Sequence, residues 1–515
     1  MSFSLPASNY VSVTWGVRPE SGGLTVTLLH RASILSQAGA GHVTVLTFDS
    51  YPHYDQIEEQ MRQLGRLDGD VSIENIWDWL RTEHIPSRPT GPSPKLNEAF
   101  TPLGDGDEFE ELYRDGVLYS RIRYAADEIT ILQTDHYRAD GTLMLSDRRD
   151  FRERGIRGGR RIIVCDHAGE PFKLWKFQND FYHWVLDRRF GSQQTTFVID
   201  SKTAVGMFVG YRRRNALTVH VIQGAHIEGE TSDGRPILSE ARHKSIRELP
   251  GFDLVAALTK RQRKDITAVM GASPNLVVIP NSVRLPDPAS ITVERPVNRG
   301  LVVAAFIPRK RVHLAIEATS RAQLMVGSGL SLDVYGDGET RPEVEAALAE
   351  HNAGEYTSLH GYSTTALEET KTASFILITS ETEGTPLVLL EGMAAGCIPI
   401  AFDIRYGPSD LITHGVNGFL IPDGNVTAMA QAIATLQQLP AEKVTAMREA
   451  AIATVQGFND EAVLQLWGKE LTKAWKHKSA AWWRTLRKWQ TWNAARHYAQ
   501  TNPEIGPKLP PPPRR

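Results

Sequence analysis

The chain begins with an alternation of apolar and amphipathic segments. An apolar run at Tyr10–Trp15 is followed by a polar loop with Gly22 and Gly23, a helical pattern over Leu24–Gln37 and a second apolar run at His42–Phe48. A strand, a glycine-containing turn, a helix and a strand make a βαβ unit. This pattern predicts that the chain opens with an α/β domain.

Between residues 96 and 195 the pattern changes to short apolar or aromatic runs separated by turn sequences. Asp115–Gly116, Asp140–Gly141 and His167–Gly169 are hairpin signals. The segment is therefore predicted to be an antiparallel β-rich insertion, after which the α/β pattern resumes. The predicted strands of the insertion are Val117–Tyr124, Ile129–Thr134, Leu143–Leu145 and Arg161–Cys165.

A second α/β domain is predicted after a polar, proline-containing segment at residues 284–300, which is typical of an interdomain linker. Apolar runs and helical patterns alternate beyond it. The predicted strands are Leu301–Phe306, Ser331–Tyr335, Phe375–Thr379 and Ile398–Phe402. The predicted helices are Val312–Ala322, Arg341–His351 and Leu387–Ala395.

Composition and charge narrow the class of protein. The 515 residues are 41% hydrophobic and 23% charged, which fits an ordinary globular chain and excludes a collagen-like or mostly disordered one. A net charge of −3 does not favour nucleic-acid binding by the whole chain. Cys165 and Cys397 lie in no CxxC motif, so neither a disulfide framework nor a cysteine-based zinc site is expected.

The sequence lacks the usual targeting features. The first ten residues have neither the basic nor the apolar region of a signal peptide, and no apolar run reaches the roughly 18 residues that span a bilayer. We therefore expect a cytoplasmic protein, in solution or on the inner face of the cell membrane.

The C-terminal tail is unusual, because six of the eleven tryptophans lie between Trp467 and Trp492. Tryptophans at helical spacing among basic residues are typical of helices that lie on anionic membranes. The alternative is that Trp467 and Trp475 pack the C-terminal helix onto the N-terminal domain. The apolar residues of the tail pattern are Trp482, Trp483, Leu486, Trp489 and Trp492, and the basic ones are Lys476, Lys478, Arg484, Arg487, Lys488 and Arg496.

The stretch Ser380–Gly396 carries the clearest chemical pattern. A strand, a loop of small residues and a helix follow one another, with Thr385 predicted as the helix N-cap and Pro386 at its first position. The free backbone N–H groups and the positive dipole end of such a helix form an anion site. Glu383 and Glu391 would then stand on either side of a bound anion. The alternative is two solvated glutamates beside an ordinary helix.

Glu383 and Glu391, with seven residues between them, resemble the E-x7-E motif of retaining GT-B glycosyltransferases of family GT4. Other segments over residues 276–439 resemble that family's pattern in the same order. They are Val278–Asn281, Lys310–Ala318, Tyr335–Gly338, Phe402–Pro408 and Gly415–Gly418. The resemblance implies an α/β protein with the GT-B fold, in which two Rossmann-like domains face a cleft.

Within that family the chain is similar to the wall teichoic acid α-glycosyltransferases, which use poly(glycerol-phosphate) or poly(ribitol-phosphate). The similar segments are Gly22–Thr25, Thr47–Asp49, the insertion, Ala225–Glu228, Leu258–Gln262 and Ala401–Asp410. In that branch the insertion mediates oligomerisation, which implies a homo-oligomer. The implied divisions are a Rossmann-like N-terminal domain at 1–95 and 196–283, the insertion at 96–195, the linker at 284–300, the nucleotide-sugar-binding domain at 301–455, a C-terminal helix at 456–478 that crosses back, and the basic tail at 479–515.

The resemblance also implies roles for single residues. The helix start at Gly384–Leu387 would hold the diphosphate of a UDP-sugar, and Lys310 would neutralise it. Glu391 would accept hydrogen bonds from the ribose hydroxyls, and Glu383 would contact the donor sugar as a catalytic or oxocarbenium-stabilising carboxylate. No metal is expected, because the helix dipole and the lysine would offset the diphosphate charge.

Four further residues have two interpretations each. His226 aligns with a family histidine that reaches the donor sugar from the N-terminal domain, although a histidine after a strand is otherwise an ordinary polar loop residue. Gly22 and Gly23 would let the backbone approach the cleft, or they form a plain turn. Asn281 would contact the donor or the acceptor, or it caps a turn.

One position departs from the family pattern. The family usually carries an arginine five residues before the lysine that corresponds to Lys310, and here that residue is Ala305. Either Arg309 or Arg311 compensates for the missing guanidinium, or donor binding is weakened.

The leading hypothesis is a retaining hexosyltransferase. It would move glucose or N-acetylglucosamine from a UDP-sugar to a hydroxyl of a polyol-phosphate cell-wall polymer. One alternative is a GT4 transferase with another glycan, lipid or protein acceptor. Another is a catalytically silent partner of an active transferase, which Ala305 favours and the intact Glu383, Glu391 and Lys310 oppose.

Overall fold

The computed structural model divides the chain into two structural units. One unit spans Pro6–Val219, and the other comprises Met1–Leu5 with His220–Arg515. The tryptophan-rich residues 481–495 of the tail lie outside the described residues, as do residues 289, 290 and 292–294 of the expected linker. The structure describes residues 4–87, 92–232, 234, 236–240, 243–288, 291, 295–327, 329–480, 496 and 497.

The first unit begins with the βαβ arrangement that the apolar pattern predicted. Its first elements are β1 (Asn9–Val13), α1 (Gly23–Leu35), β2 (Val43–Thr47), α2 (Tyr54–Gln63), β3 (Val71–Asn75), α3 (Ile76–Thr82) and α4 (Pro94–Ala99). Strand β2 pairs in parallel with both β1 and β3, with Val43 opposite Tyr10 on one side and Val71 on the other. All five residues of β2 are buried, as expected for a central parallel strand covered on both faces.

The insertion is a six-stranded antiparallel sheet in which each strand pairs with the next one along the chain. This confirms the antiparallel insertion that the turn sequences predicted. Its strands are β4 (Glu110–Arg114), β5 (Val117–Tyr124), β6 (Ile131–Tyr137), β7 (Leu143–Arg148), β8 (Arg161–Cys165) and β9 (Pro171–Trp175).

Strands β6 and β7 extend further than the apolar pattern predicted, because they bury polar residues that have partners. Asp135 accepts hydrogen bonds from the Leu103 amide and the Ser146 hydroxyl, both at 2.6 Å. The ring of His136 stacks on Trp77 with 4.6 Å between the ring centroids. Burial lowers the pKa of His136 to about 3, so this imidazole is neutral at neutral pH.

The end of the segment predicted as β-rich contains a helix. Helix α5 (Gln178–Phe190) buries Phe181, Tyr182, Val185 and Leu186, which share one helical face. The chain continues through β10 (Thr195–Ile199), α6 (Lys202–Phe208) and β11 (Ala216–Ile222). Within this unit the strands of the α/β sheet lie in the order β11-β10-β1-β2-β3.

The second unit starts inside β11. Its next elements are β12 (Ile227–Glu230), β13 (Pro236–Leu238), α7 (His243–Arg247), β14 (Leu254–Ala257), α8 (Lys260–Met270) and β15 (Leu276–Val278). Strands β14 and β15 are parallel, with Val255 opposite Leu276. Helix α8 is capped by Thr259, whose hydroxyl accepts a hydrogen bond from the Gln262 amide at 3.0 Å.

The predicted second α/β domain is present in the same unit. Its six strands are parallel and lie in the order β18-β17-β16-β19-β20-β21. The elements are β16 (Arg299–Val303), α9 (Val312–Val326), β17 (Ser331–Tyr335), α10 (Arg341–Glu350), β18 (Thr357–Gly361), β19 (Phe375–Ile378), α11 (Leu387–Ala394), β20 (Ile398–Asp403), α12 (Pro408–Leu411), β21 (Phe419–Pro422), α13 (Val426–Gln438) and α14 (Ala441–Val455).

The C-terminal helix α15 spans Asp460–Ser479 and begins after Asn459, whose side chain accepts a hydrogen bond from the Ala462 amide. Trp467 on this helix is buried. Lys478, which belongs to the basic pattern of the tail, donates to Asp253 at 2.7 Å and is therefore paired within the protein. In the part of the chain that the structure describes, no helix is both long and apolar enough to cross a membrane.

Candidate functional site

The loop between β19 and α11 brings the predicted anion site together. Helix α11 begins at Leu387, and Pro386 is its N-cap with an extended ψ of 109°. The prediction of Thr385 as N-cap is therefore wrong by one residue. The reason is that the Pro386 carbonyl already accepts from the Leu389 and Leu390 amides, at 3.1 and 3.4 Å.

Thr385, which precedes the N-cap, has a buried hydroxyl group that is not used in capping the helix. Its residue is 8% exposed, and within the described residues its hydroxyl has no hydrogen-bond partner. The first amides of a helix likewise have no acceptor inside the helix. A buried hydroxyl and free amides at a positive helix end suit the oxygens of a phosphate group.

Gly384 is fixed by close packing in this loop. A Cβ at this position would lie 2.1 Å from the carbonyl oxygen of Gln223. Gly407 is packed against the same loop, since its φ is 110° and a Cβ there would lie 2.4 Å from Pro386 Cδ. Larger residues at either position would push the loop away from its neighbours.

Glu383 is nearly buried, and its carboxylate is paired with two cationic side chains. Its side chain is 10% exposed, and one carboxylate oxygen is bound by the ammonium of Lys310. Arg309 reaches the other oxygen at 3.3 Å and also donates to the Thr382 carbonyl at 2.9 Å. Both cations lie on the turn Pro308–Lys310 that precedes α9. The structure thus brings three of the predicted site residues into direct contact.

The two candidates to replace the family arginine have different surroundings. Arg311 donates to the carbonyls of Thr379 and Ser380, at 2.8 and 2.7 Å, and is paired with Asp423. Arg311 therefore fastens its turn to the end of β19. Arg309 is 44% exposed beside Glu383. Of the two arginines, Arg309 is the one at the site.

Glu391 lies on α11, four residues after the first helical residue, Leu387. That separation corresponds to about 6 Å along the helix axis. Glu391 is partly buried, whereas Glu383 lies in the loop before the helix. Glu383 therefore precedes the helix start, and Glu391 lies about one turn into the helix.

His226 and Asn281 come from the part of this unit that precedes the linker. His226 is fully buried, and its ring is stacked on Tyr406 with 5.5 Å between the centroids and 19° between the planes. Asn281 is also buried and donates its side-chain amide to that of Gln223 at 3.3 Å. Since Gln223 also contacts Gly384 through its carbonyl, Asn281 is two contacts away from the anion site.

Gly22 and Gly23 belong to the other structural unit. Gly22 is the N-cap of α1, with a φ of −80°, and Gly23 is the first helical residue. A Cβ at Gly22 would meet no atom within 4 Å. Neither backbone strain nor crowding therefore requires a glycine at position 22.

Sequence reasoning missed three residues around the site. Arg405 and Tyr406 stand in the segment after β20, and both donate to Asp265 on α8, at 2.8 and 2.9 Å. The segment Phe402–Pro408 was part of the family resemblance, but nothing in its spacing indicated a partner on α8. Among the described residues, no group of three His, Cys, Asp or Glu side chains is placed to hold a metal ion.

The known proteins that this chain resembles are glycosyltransferases. Residues 292–454 match the family model described as Glycosyl transferases group 1. The chain is 23% identical over 490 residues to the poly(ribitol-phosphate) alpha-N-acetylglucosaminyltransferase of Staphylococcus aureus (strain COL), covering 87% of this chain and 96% of the relative. It is 24% identical over 479 residues to the poly(glycerol-phosphate) alpha-glucosyltransferase of Bacillus subtilis (strain 168), covering 84% of this chain and 70% of the relative.

A solved structure has the same fold. The pneumococcal O-GlcNAc transferase GtfA, crystallised in complex with UDP and GlcNAc, superposes with a TM-score of 0.64 at 18% identity, over 91% of this chain and 99% of GtfA. The fold is that of the GT-B glycosyltransferases. Residues 292–454 thus match the Glycosyl transferases group 1 model, and the chain is similar to the poly(ribitol-phosphate) and poly(glycerol-phosphate) transferases over most of its length.

Proposed function

We propose that the protein is a retaining glycosyltransferase that moves a hexose from a UDP-sugar to a hydroxyl of a polyol-phosphate polymer of the teichoic acid type. The observation that carries this proposal is the contact of Lys310 and Arg309 with Glu383 beside the start of α11. That arrangement combines an anion site, two cations and a nearly buried carboxylate.

Each of these groups has a part in the proposed reaction. The amides at the start of α11, the Thr385 hydroxyl and Lys310 would hold the diphosphate. Negative charge grows on the diphosphate as the bond to the sugar breaks, so these preorganised groups stabilise the transition state more than the ground state. Glu383 would stabilise the positive charge that develops on the sugar. The departing phosphate would take the proton of the acceptor hydroxyl.

The donor and the acceptor are proposed on different grounds. A UDP-sugar is supported by the two carboxylates near the helix start, since Glu391 is suited to accept from ribose hydroxyls. A polyol-phosphate acceptor, with glucose or N-acetylglucosamine as the sugar, is supported by the names of the two relatives. We propose that no metal takes part, because helix dipole and lysine offset the diphosphate charge.

The same experiment distinguishes this function from two others. A peptide acceptor is the second candidate, supported by the name of a relative that is 24% identical over 284 residues, the UDP-N-acetylglucosamine–peptide N-acetylglucosaminyltransferase GtfA subunit of Streptococcus pneumoniae. A catalytically silent partner is the third, and the intact site opposes it. Purified protein is to be incubated with UDP-glucose or UDP-N-acetylglucosamine and with glycerol-phosphate polymer, ribitol-phosphate polymer or a serine-rich peptide, with and without EDTA.

We expect sugar transfer to one polyol-phosphate polymer, at a rate that EDTA does not change. The NMR spectrum of the product should show an α linkage. If sugar is transferred only to the peptide, the acceptor is a protein and not a polyol-phosphate polymer. A β-linked product would overturn retention. If the protein neither binds UDP nor hydrolyses any UDP-sugar, the enzyme proposal fails and the silent partner takes its place.

A further inference from the structure

Tyr406 links the predicted catalytic carboxylate to the predicted sugar-binding histidine. Its backbone and that of Arg405 enclose Glu383 on both sides. The Glu383 amide donates to the Arg405 carbonyl at 2.8 Å, and the Tyr406 amide donates to the Glu383 carbonyl at 2.9 Å. The place of Glu383 in its loop is therefore set by the segment that carries Tyr406.

The side chain of Tyr406 contacts a different residue, His226. Its ring is fully buried and lies against His226, with nearly parallel planes. A stacked neighbour restricts the rotation of a histidine ring, because any other rotamer would clash in a close-packed interior. One residue thus contacts Glu383 through its backbone and His226 through its ring.

Asp265 holds this tyrosine in place. The same carboxylate oxygen of Asp265 accepts from the Tyr406 hydroxyl and from Nε of Arg405. Arg405 is also paired with Glu230 on β12, so the guanidinium is held between two carboxylates. Burial, and then the neighbouring Asp265, raise the pKa of Tyr406, so the phenol stays a hydrogen-bond donor at working pH.

We propose that Tyr406, anchored by Asp265, is a positioning residue that sets the distance and orientation between His226 and Glu383. This inference rests on the proposed function, because it assigns Tyr406 to the same donor site. A carboxylate and an imidazole must be held within about 0.5 Å of their productive geometry to act on one sugar. The phenol hydroxyl would supply that precision, although it touches no reacting atom.

The chain offers a matched control for the key substitution. Tyr211 in the other structural unit is also buried, and its hydroxyl also donates to an aspartate, Asp187, at 3.1 Å. Tyr406→Phe and Tyr211→Phe each remove one tyrosine–aspartate hydrogen bond at a buried ring, with Asp265 10% exposed and Asp187 38% exposed. The thermal stability of both variants is measured, and only the first variant should affect the site.

The experiment compares kcat, KM for the UDP-sugar and calorimetric UDP affinity in wild type, Tyr406→Phe and Tyr211→Phe. We expect Tyr406→Phe to lower kcat at least tenfold with UDP affinity within twofold of wild type, and Tyr211→Phe to leave both unchanged. Equal kcat in the two variants would overturn the inference.

A readout that needs no turnover separates this inference from the proposed function. In protein with 15N-labelled histidine, the signals of His226 are assigned with His226→Gln. Tyr406→Phe should shift them, and Tyr211→Phe should not. If the wild type turns over no UDP-sugar but the shift is seen, the proposed function fails while the positioning stands. If His226 does not respond to Tyr406→Phe, the positioning role is wrong, whatever the activity.

Discussion

Lys310 places its ammonium group on the carboxylate of Glu383, so the cation assigned to the diphosphate and the carboxylate assigned to the sugar form one ion pair. Arg309 lies at the other oxygen of the same carboxylate. A diphosphate would compete with Glu383 for these cations, because each cation has a limited number of donors. The charge of Glu383 should therefore affect donor binding and the chemical step in opposite directions.

Glu383→Gln tests this opposition. The substitution keeps the shape of the side chain and removes its charge, so the developing charge on the sugar loses its counterion. We expect kcat to fall about 10²-fold, while UDP affinity is unchanged or higher because Lys310 is no longer shared. Steady-state kinetics and UDP calorimetry measure the two effects. Glu381→Gln, at an exposed glutamate of the same loop, is the control. Equal kcat in both variants would remove Glu383 from the site.

Glu391→Gln should act on the nucleotide. Hydrogen bonds to a charged partner contribute about 1.5–3 kcal/mol each, so the loss of one corresponds to a roughly tenfold or greater weakening of UDP binding. Calorimetry with UDP and with 2′,3′-dideoxy-UDP tests this directly. The dideoxy nucleotide should bind wild type and variant with the same low affinity. A variant that weakens both nucleotides equally would show that Glu391 does not contact the ribose.

Arg309→Ala and Ala305→Arg decide how the missing family arginine is replaced. Ala305 is exposed, so a larger side chain fits there. Arg309 is already next to Glu383 and Lys310, so we expect Arg309→Ala to weaken UDP binding about tenfold and Ala305→Arg to change it little. The contrary pattern, with Ala305→Arg tightening UDP about tenfold, would mean that the natural site is impaired. Arg341→Ala, at an arginine of α10 outside the site, is the control.

The sequence predicted the local secondary structure of the site better than the contacts between residues that are far apart in the chain. The place of α11 could be inferred because a strand, a small-residue loop and a helix follow one another within Phe375–Ala394. The N-cap was wrong by one residue, since Thr385 and Pro386 are both favourable near a helix start and only the backbone ψ of Pro386 separates them.

The contacts of Tyr406 could not be read in this way. Tyr406 and Asp265 are 141 residues apart, and their hydrogen bond depends on how two α/β halves of one unit pack. In the insertion, the buried polar residues of β6 and the aromatic face of α5 also escaped the apolar pattern. The Leu103 amide that binds Asp135 and the Trp77 ring that stacks on His136 are distant in the sequence, so local periodicity carries no information about these contacts.

We propose that the edge strands of the insertion assemble the protein into a homo-oligomer. Strand β4 is an edge of the six-stranded sheet, and its Tyr113 is 52% exposed. An edge strand presents unpaired backbone groups that another chain can cover. Light scattering after gel filtration at about 10 µM should give a multiple of the 57.3 kDa chain mass for wild type.

Tyr113→Lys should shift this distribution towards the monomer, because a lysine on an edge strand opposes strand pairing. Ile129→Lys is the matched control, since Ile129 is an exposed apolar residue at a turn of the same sheet. A monomeric wild type would refute the assembly. If both variants have the same mass distribution by light scattering, strand β4 does not form the contact between the chains.

The tail beyond Lys478 carries the pattern of tryptophans and basic residues that is typical of helices on anionic membranes, and its residues 481–495 lie outside the described residues. We propose that the protein binds an anionic membrane surface through this tail. Before residues 481–495, Lys478 is paired with Asp253, and after them, His497 lies 3.1 Å from the Ala268 carbonyl. Basic residues near an anionic surface contribute about 1 kcal/mol each, and the intervening tryptophans add interfacial anchoring.

Truncation after Ala480 keeps the Lys478 pair and should abolish sedimentation with phosphatidylglycerol vesicles, while activity on a soluble acceptor is retained. Vesicles of phosphatidylcholine alone, and phosphatidylglycerol vesicles at high salt, should bind the full chain weakly, because screening removes the charge contribution. If the truncated and full chains sediment equally, the tail does not bind membrane.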